Sequence, residues 1–387
     1  MSRPFRLAII AGEASGDALA LRFLTALRQR LGDRPLEIVG VGGESLIAQG
    51  LQPLFPQSDI AVMGFGPVLA RLPLLLRRMS DGAKGVVAFA PDLLLTIDSP
   101  DFSLRVAQKV RRASPGIPIA HWVCPSVWAW RSGRARRMAP HVDRILALLP
   151  FEPAALERLG GPKTIYVGHP LIERLAELRP NDEEQARRND PSTPSILVLP
   201  GSRRSEINHL MPAFGETVSL IADKVPGARF VLPAVPHLRG MIEEAASTWP
   251  VKPHLVDGED AKLAAFRTAR AALAASGTVT LELALAQVPL VAAYRGAAWE
   301  AMLARRLIKL STVILPNLVV GARIVPEFIQ DDASPEVLSA ALLAVLGDGP
   351  ARSAQLAGFA DVERIMKSAG ASPAENAVHA ALGLLAA

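Results

Sequence analysis

The segment 195–210 has the sequence SILVLPGSRRSEINHL, and it limits the possible folds more than any other stretch of the chain. A run of apolar residues stops at Pro200-Gly201, and a polar helical pattern starts at Ser205. This order predicts a strand, a tight turn and a helix. Gly201 lets the backbone approach a ligand closely, whereas Ser202, Arg203 and the first N–H groups of the helix can hold an anion. The segment therefore predicts a phosphate-binding turn.

The same alternation of strands and helices runs through the rest of the chain. We predict strands at 6–11, 36–41, 92–98, 117–123, 144–148 and 164–167, and later at 229–233, 271–275 and 289–293. This alternation is typical of parallel, doubly wound sheets. A chain of 387 residues is long enough for two domains. We therefore predict an α/β protein with Rossmann-like domains at 1–177 and 195–345, a polar linker at 178–194 and C-terminal helices at 346–387.

The positive charge is concentrated in the first half of the chain. Residues 1–170 contain 21 Lys and Arg against 13 Asp and Glu, whereas the remainder contains 21 against 24. Such a basic half suits an anionic partner, which could be nucleic acid, a membrane surface or a phosphorylated substrate. Solvated arginines on helix faces explain the charge equally well.

The compartment is predicted from what the sequence lacks. No apolar run reaches the length of about 18 residues that a membrane-spanning helix needs, and the N-terminal run is too short for a signal peptide. The single cysteine, Cys124, excludes an intrachain disulfide. We therefore expect a cytoplasmic protein.

A second turn in the later half resembles the one at Gly201. Ser276-Gly277-Thr278 follows a predicted strand, and Glu282 lies one helical turn further on, where it can accept hydrogen bonds from a ribose diol. Each turn alone is explained by ordinary helix capping. If both strands are parallel, the two turns lie at one edge of the sheet and predict, with Arg203, a nucleotide diphosphate site.

In the first half, Asp98 ends a strand of buried type and is a candidate general base. The alternative is a helix-capping role, for which Ser99 and Asp101 compete. The chain contains no Asp-x-Asp sequence, and its histidines show no metal-ligand spacing. We therefore expect the diphosphate to be held by dipoles and arginine, without a metal ion or other cofactor.

Two further segments combine apolar and basic residues. Segment 65–79, FGPVLARLPLLLRRM, suits an interfacial helix on anionic lipid, or a buried helix with its arginines reaching outward. Segment 124–137, CPSVWAWRSGRARR, alternates aromatic and basic residues, which could bind nucleic acid or lipid headgroups. Its tryptophans could equally anchor a loop to the core.

Taken in order, a set of motifs resembles the lipid-A-disaccharide synthase family: GEASGD (12–17), AVMGF (61–65), IDSPDF (97–102), PSVWAWR (125–131), LPFE (149–152), VGHP (167–170), LPGSRRSEI (199–207), ASGTVTLE (275–282) and LPNL (315–318). The resemblance implies a GT-B fold, with two Rossmann-like domains facing across a cleft. It implies an inverting glycosyltransferase that moves 2,3-diacylglucosamine from UDP to the 6-hydroxyl of 2,3-diacylglucosamine 1-phosphate. The products would be the β-1,6 disaccharide and UDP.

The resemblance also implies partners and a location. We expect the UDP-2,3-diacylglucosamine donor, the 2,3-diacylglucosamine 1-phosphate acceptor and the lipid of the inner membrane, on whose cytoplasmic face the protein would be peripheral. Nucleic acid is not expected, and a homodimer is plausible. The alternatives are another GT-B enzyme, such as a UDP-N-acetylglucosamine epimerase, or a non-catalytic protein that binds nucleotide or lipid.

Site residues follow from the same resemblance. Asp98 would be the catalytic carboxylate, and the cleft on the acceptor side would contain Glu13, Ser15, Asp17, Met63 and Gly64. UDP would be bound by Gly201, Ser202, Arg203, Ser276, Gly277, Thr278, Glu282 and Asn317. The membrane contact would be made by Phe65, Leu69, Arg71, Leu72, Leu75, Arg77 and Arg78. One departure is that Gly42-Gly43 is followed by Glu44-Ser45-Leu46 in place of the family's Pro-Arg-Met.

Overall fold

The computed structural model describes residues 3–61, 71–296, 312–367 and 371–385. These residues form two compact units. Unit 1 contains the described residues up to His169 and those from 371 onward, and unit 2 contains Pro170–Lys367.

Unit 1 is built on a seven-stranded parallel sheet with the order β3-β2-β1-β4-β5-β6-β7. Its strands are β1 Phe5–Ala11, β2 Leu36–Val41, β3 Leu51–Pro53, β4 Leu93–Ile97, β5 Ile119–Trp122, β6 Arg144–Ala147 and β7 Thr164–Tyr166. The helices along this part of the chain are α1 Ala14–Leu31, α2 Glu44–Ala48, α3 Leu72–Phe89, α4 Pro100–Ala113, α5 Gly133–Met138 and α6 Glu152–Arg158. All residues of β4 are buried, which is why its sequence is an almost unbroken apolar run.

Unit 2 contains a six-stranded parallel sheet with the order β10-β9-β8-β11-β12-β13. Its strands are β8 Ser195–Leu199, β9 Arg229–Ala234, β10 His254–Asp257, β11 Ala271–Ala275, β12 Leu290–Tyr294 and β13 Glu327–Ile329. Its helices are α7 Leu175–Leu178, α8 Asp182–Asn189, α9 Arg204–Lys224, α10 Arg239–Ser247, α11 Glu259–Thr268, α12 Val279–Leu285, α13 Leu315–Val320, α14 Pro335–Leu346 and α15 Pro350–Met366.

The strand order of each sheet fixes where a ligand can bind. In unit 1 the chain starts at β1, moves outward to β3 and returns to place β4 on the other side of β1. In unit 2 it does the same with β8 and β11. Loops leave such neighbouring strands in opposite directions and open a crevice at the carboxyl ends of the strands. The β1/β4 and β8/β11 pairs are therefore the two places to look for sites.

The predicted linker at 178–194 differs from the structure, because this segment belongs to unit 2. It contains α8, which starts with a capping box between Asn181 and Glu184. Arg188 is only 3% exposed, and its guanidinium donates to the carbonyl oxygens of Phe266 at 2.8 Å and Ala286 at 3.1 Å. The polar composition that suggested a linker belongs to a short helix tied to unit 2 by buried hydrogen bonds.

The C-terminal helices divide between the units. Helix α15 stays in unit 2, where the side chain of Gln355 exchanges hydrogen bonds with the backbone of Leu290. The last helix, α16 Pro373–Leu382, belongs to unit 1 and packs against α1. Asn376 in α16 donates to the carbonyl oxygen of Val167 at 3.2 Å. Within the described residues, no helix is both long enough and apolar enough to cross a membrane.

Candidate functional site

A cavity of about 550 Å³ lies in unit 2 at the carboxyl ends of β8 and β11. Both predicted phosphate-binding turns line it. The predicted donor-site residues among its lining are Gly201, Ser202, Arg203, Ser276, Gly277, Thr278 and Glu282. Cavities of this size hold small ligands, and a nucleotide is within their range. The structure thus brings together residues that are about 80 positions apart in the sequence.

The β11–α12 turn offers free backbone donors. The N–H groups of Gly277 and Thr278 make no hydrogen bond to any residue that the structure describes, and both residues are exposed. The N–H of Ser276, by contrast, pairs with the carbonyl oxygen of Ala293 at 2.9 Å, which ties the start of the turn to β12. Two unpaired N–H groups on a fixed turn can donate to phosphate oxygens without first breaking an internal bond.

The β8–α9 turn differs from the prediction, because an internal carboxylate already holds its donors. Oε2 of Glu206 accepts from the N–H of Ser202 at 3.0 Å and of Arg203 at 3.2 Å. Oε1 of Glu206 lies 3.0 Å from Nη1 of Arg203. Gly201 has a φ of 108°, and a Cβ built on it would lie 2.3 Å from the Glu206 carboxylate. The turn is therefore shaped around an anionic group, and that group is supplied by the chain itself.

Glu282 is held by a lysine that the sequence did not single out. Nζ of Lys262, in α11, lies 2.6 Å from Oε2 of Glu282 and 3.6 Å from Oε2 of Glu259. All three side chains line the cavity. Nothing in the sequence pattern indicates this pairing, because the contact joins two different helices twenty residues apart. Lys262 adds a second cation to the cavity beside Arg203.

Asn317 does not line this cavity, so its predicted place near the donor is not seen. Its side chain is 1% exposed, and its amide Nδ2 donates to Oγ1 of Thr312 at 3.1 Å and to the carbonyl oxygen of Val325 at 3.0 Å. Its Oδ1 accepts from the N–H groups of Ile324 and Val325. The amide is fully used in joining the start of α13 to the segment before β13, which is a structural role.

In unit 1, Asp98 lies in the turn between β4 and α4, beside the carboxyl end of β1. Asp98 and Ser99 both have a left-handed backbone, with φ of 49° and 43°. Non-glycine residues keep this conformation where surrounding contacts fix it, often at functional sites. Here the N–H of Asp98 donates to the carbonyl oxygen of Trp122 at 3.0 Å, and Oγ of Ser103 donates to the carbonyl oxygen of Asp98 at 2.7 Å.

The carboxylate of Asp98 is half-buried and only partly used. Oδ1 accepts from the N–H of Ser99 at 2.8 Å, and Oδ2 has no hydrogen-bond donor among the residues that the structure describes. Neither Asp98 nor Ser99 caps α4 through its side chain, so the capping alternative is not seen. Asp101 instead forms an ion pair with Arg134 at 2.7 Å. One oxygen of Asp98 is thus available to accept a hydrogen bond from a ligand.

The GEASGD turn lies against the Asp98 turn, but its carboxylates differ in role. Oγ of Ser99 donates to Oε1 of Glu13 at 3.2 Å, so Glu13 belongs to the same cluster as Asp98. A Cβ at Gly12 would lie 2.6 Å from Oγ of Ser99, which explains why the two turns need a glycine there. Ser15 is exposed on the first turn of α1.

Asp17 is a correction to the predicted cleft residues. It is 9% exposed, and its carboxylate accepts from the N–H of Gly43 at 3.0 Å and from Nε2 of Gln57 at 3.0 Å. Burial raises the pKa of Asp17, and these hydrogen bonds oppose that rise. Asp17 therefore holds the β2–α2 turn and has no open side toward a substrate. The departure from the family motif starts at Glu44, where α2 begins.

Helix α3 contains the described part of the predicted membrane segment. Met63, Gly64, Phe65 and Leu69 lie outside the described residues. Leu72 and Leu76 are 41% and 44% exposed. Arg71 and Arg77 are exposed beside them.

Two of the predicted membrane residues face the other way. Leu75 is 8% exposed and packs in the core of unit 1. Arg78 pairs with Asp59 at 2.8 Å and Asp81 at 3.1 Å, and its guanidinium lies 5.2 Å from the centre of the Phe55 ring. The helical period that places Leu72 and Leu76 outside turns Leu75 toward the core. Leu75 and Arg78 are therefore not part of an exposed apolar and basic face.

Glu152 is a buried titratable group that the sequence did not single out. It is 3% exposed, accepts from Nε1 of Trp128 at 3.1 Å and from the N–H of Leu149 at 3.0 Å, and burial raises its pKa to about 7. The same burial raises the pKa of the nearby Cys124 thiol. Trp128 is thus an anchor for its loop, whereas Trp130 is 41% exposed.

Sequence comparisons extend over almost the whole chain. A family model described as lipid-A-disaccharide synthetase matches residues 7–380. The lipid-A-disaccharide synthase of Nitrobacter winogradskyi is 52% identical over 370 residues, which cover 96% of this chain and 93% of the relative. A lipid-A-disaccharide synthase of Rhodopseudomonas palustris is 50% identical over 380 residues, covering 98% and 96%.

Comparisons with solved structures test the fold. UDP-GlcNAc 2-epimerase of Neisseria meningitidis, bound to UDP-GlcNAc, aligns with a TM-score of 0.59 at 14% identity, covering 93% of this chain and 97% of that one. MurG of Acinetobacter baumannii aligns with a TM-score of 0.59 at 13% identity, covering 98% and 100%. At such low sequence identity, these similarities are evidence for the fold alone. They confirm the predicted GT-B class, with two parallel α/β sheets.

Proposed function

The chain belongs to the lipid-A-disaccharide synthase family of glycosyltransferases, and from this premise we propose its substrates and mechanism. The donor is UDP-2,3-diacylglucosamine, and the acceptor is 2,3-diacylglucosamine 1-phosphate, which attacks through its 6-hydroxyl. The products are the β-1,6-linked disaccharide phosphate and UDP. The observation that carries the proposal is the cavity of unit 2, where two strand-to-helix turns and two cations surround a space of about 550 Å³.

The diphosphate of the donor lies on the β11–α12 turn and beside Arg203. The unpaired N–H groups of Gly277 and Thr278 donate to phosphate oxygens, and the guanidinium of Arg203, whose side chain is 78% exposed, has the freedom to turn toward them. As the bond to the sugar breaks, negative charge grows on the leaving UDP. Arg203 and Lys262 stabilise this charge more in the transition state than in the ground state, which is what lowers the barrier.

Asp98 is the general base. Its free oxygen Oδ2 takes the proton of the acceptor's 6-hydroxyl. In the same step the oxygen of that hydroxyl bonds to the anomeric carbon of the donor sugar, and the bond from the anomeric carbon to the diphosphate breaks. A single direct displacement inverts the configuration at the anomeric carbon. The left-handed turn, fixed by Trp122 and Ser103, keeps the carboxylate in place without using Oδ2.

No metal ion is part of this mechanism. The free N–H groups of Gly277 and Thr278 and the guanidinium of Arg203 donate to the diphosphate in the place that a divalent ion takes in metal-dependent enzymes. The cavity also contains the carboxylates of Glu206, Glu259 and Glu282, which pair with Arg203 and Lys262 until the ligand binds. We therefore propose that EDTA leaves the rate unchanged.

The acylated substrates require contact with a lipid surface, and we propose that unit 1 supplies it through α3. Leu72 and Leu76 are exposed on the helix, with the guanidinium of Arg77, 77% exposed, beside them. Exposed leucines next to cations are typical of helices that rest on anionic membranes. The surface would be the cytoplasmic face of the inner membrane.

The test is product formation by the purified full chain with both substrates in detergent and EDTA. Mass spectrometry should find the disaccharide phosphate together with one UDP per product. Proton NMR of the new linkage should show the β configuration and attachment at the 6-position. An α linkage would refute the inverting mechanism, and UDP release without a disaccharide would refute the acceptor.

A further inference from the structure

Unit 1 contains a second cavity, of about 400 Å³, between α4 and α5. It shares no lining residue with the donor cavity, which belongs to unit 2. Four arginines line it, Arg105 from α4, Arg131 from the loop before α5, and Arg134 and Arg137 from α5, against one carboxylate, Asp101. We propose that this basic cavity binds the phosphate monoester of the sugar acceptor. This assignment rests on the proposed function.

The positive charge of the basic cavity is only partly neutralised by the residues that the structure describes. Arg134 pairs with Asp101 at 2.7 Å. Arg105 and Arg137 form no ion pair or hydrogen bond with any residue that the structure describes, and both are exposed. The guanidinium of Arg131 lies 4.2 Å from the centre of the Trp130 ring, where it keeps its charge. Close, unpaired like charges repel one another, and a bound phosphate relieves that repulsion while accepting several guanidinium hydrogen bonds.

Other arginines of unit 1 show the contrast. Arg78 pairs with two carboxylates, Asp59 and Asp81. Arg111, also on α4, pairs with Asp143 at 2.5 Å. Some arginines of this unit therefore have carboxylate partners, whereas the basic cavity gathers four arginines around one carboxylate. Such an excess of positive charge in a concave site indicates that the arginines bind an anionic ligand and are not simply solvated surface residues.

The loop that carries Arg131 is fixed, so the cavity has a defined shape. Nε1 of Trp128 donates to the buried Glu152 at 3.1 Å, and Nε1 of Trp130 donates to Oγ of Ser126 at 3.2 Å. Arg131 itself has a φ of 54°, a backbone conformation that a side-chain-bearing residue keeps only when its surroundings impose it. A guanidinium held in advance loses less freedom when it binds a phosphate.

The position of the basic cavity suits the acceptor. Pro100 and Asp101, which line it, follow directly after the turn of Asp98 and Ser99 at the start of α4. A phosphate held in the basic cavity would lie against α4, the helix that begins directly after Asp98 and Ser99. The proposed acceptor carries its phosphate and its 6-hydroxyl on one sugar ring. The phosphate of a membrane lipid has the same chemistry, and the experiment below separates the two sources.

The test measures binding without turnover. Glucosamine 1-phosphate and glucosamine are titrated into the full chain and followed by calorimetry and by tryptophan fluorescence, since Trp130 contacts Arg131. The test variant is Arg105→Ala with Arg137→Ala, which removes the two unpaired cations. The matched control is Arg112→Ala with Arg136→Ala, which removes one arginine from each of the same two helices but none from the cavity.

We expect the parent to bind glucosamine 1-phosphate and not glucosamine, and the test variant to bind it about tenfold more weakly. The KM for the phosphorylated acceptor should rise by a similar factor with kcat nearly unchanged, and the control should stay within about twofold of the parent. An equal loss in both variants would reduce the effect to general surface charge and overturn the site.

Two other outcomes are informative. Weaker binding to phosphatidylglycerol vesicles, with unchanged binding of glucosamine 1-phosphate, would assign the basic cavity to lipid headgroups and overturn the proposal. A parent that binds glucosamine 1-phosphate through these arginines but makes no disaccharide would leave the phosphate site standing and refute the proposed function. The experiment therefore distinguishes failure of the phosphate site from failure of the proposed function.

Discussion

Replacing Glu206 with alanine should tighten the binding of UDP and, in the same variant, destabilise unit 2. The Glu206 carboxylate holds the N–H groups of Ser202 and Arg203 at 3.0 and 3.2 Å and pairs with the Arg203 guanidinium at 3.0 Å. A diphosphate that uses these donors must first displace the carboxylate. The carboxylate thus stabilises the turn and competes with the ligand.

The magnitude follows from the contacts that are lost. Arginine has no acceptor, so only the glutamate half of a capping box forms here, and losing such a cap costs about 1 kcal/mol. In a unit of this size, that cost lowers the melting temperature by about 2–4 °C. In the parent, UDP must break these contacts at a cost of the same 1 kcal/mol, whereas in Glu206→Ala they are already absent. The Kd for UDP should therefore fall about fivefold in the variant. Glu206→Gln keeps one acceptor oxygen and should lie between the parent and Glu206→Ala.

The assay pairs calorimetric titration of UDP with thermal unfolding of the same preparations. Glu216→Ala is the control, because Glu216 is an exposed carboxylate of the same helix that does not line the cavity. It should change neither quantity. If Glu206→Ala lowers both stability and UDP affinity, the turn does not exchange its carboxylate for a phosphate, and the reasoning fails.

Three other perturbations test separate parts of the structure. Lys262→Met should raise the Kd for UDP by about tenfold, because it removes a cation and leaves Glu282 unpaired at the cavity; unchanged binding would remove Lys262 from the site. Leu72→Ser with Leu76→Ser should weaken the free energy of binding to phosphatidylglycerol vesicles, measured by co-sedimentation, by roughly 2 kcal/mol while UDP binding is kept. Vesicle binding equal to that of the parent would contradict the proposed membrane contact of α3. Burial raises the pKa of Glu152 from 4.5 to about 7, so its contribution to the free energy of unfolding is present below pH 4.5 and is lost as pH rises through about 7. Denaturant unfolding at a series of pH values should show this loss in the parent, on the order of 3 kcal/mol at pH 8, and not in Glu152→Gln. Parallel plots of unfolding free energy against pH for the two proteins would refute the prediction.

Elements with strong hydrophobic patterns were predictable from the sequence. Strands β2 and β11 occupy the predicted ranges of 36–41 and 271–275, and β8 lies directly before the turn at Pro200-Gly201, as predicted. The short strands β3, β10 and β13 were missed, because each lies at a sheet edge and only β3 contains a buried residue, Leu51. Their pairing depends on neighbouring strands and leaves little trace in a local pattern.

The site was predictable as far as the backbone determines it. Parallel strands bring the turns at Gly201 and Gly277 to one cavity, as the sequence indicated. Side-chain contacts over longer range were not predictable, and Lys262 with Glu282 is an example. Asn317 was wrongly predicted to lie near the donor, because its motif gives no indication of the four hydrogen bonds that its buried side chain makes within unit 2.

The most direct test of the proposed mechanism compares Asp98→Asn with the parent in two measurements, the rate of disaccharide formation and the Kd for UDP. Asparagine keeps an oxygen that can accept from the N–H of Ser99, so the turn should be retained while the base is lost. We predict a rate lower by about 10²–10⁴-fold and a Kd for UDP within about twofold of the parent. A rate close to that of the parent would contradict the assignment of Asp98 as the general base.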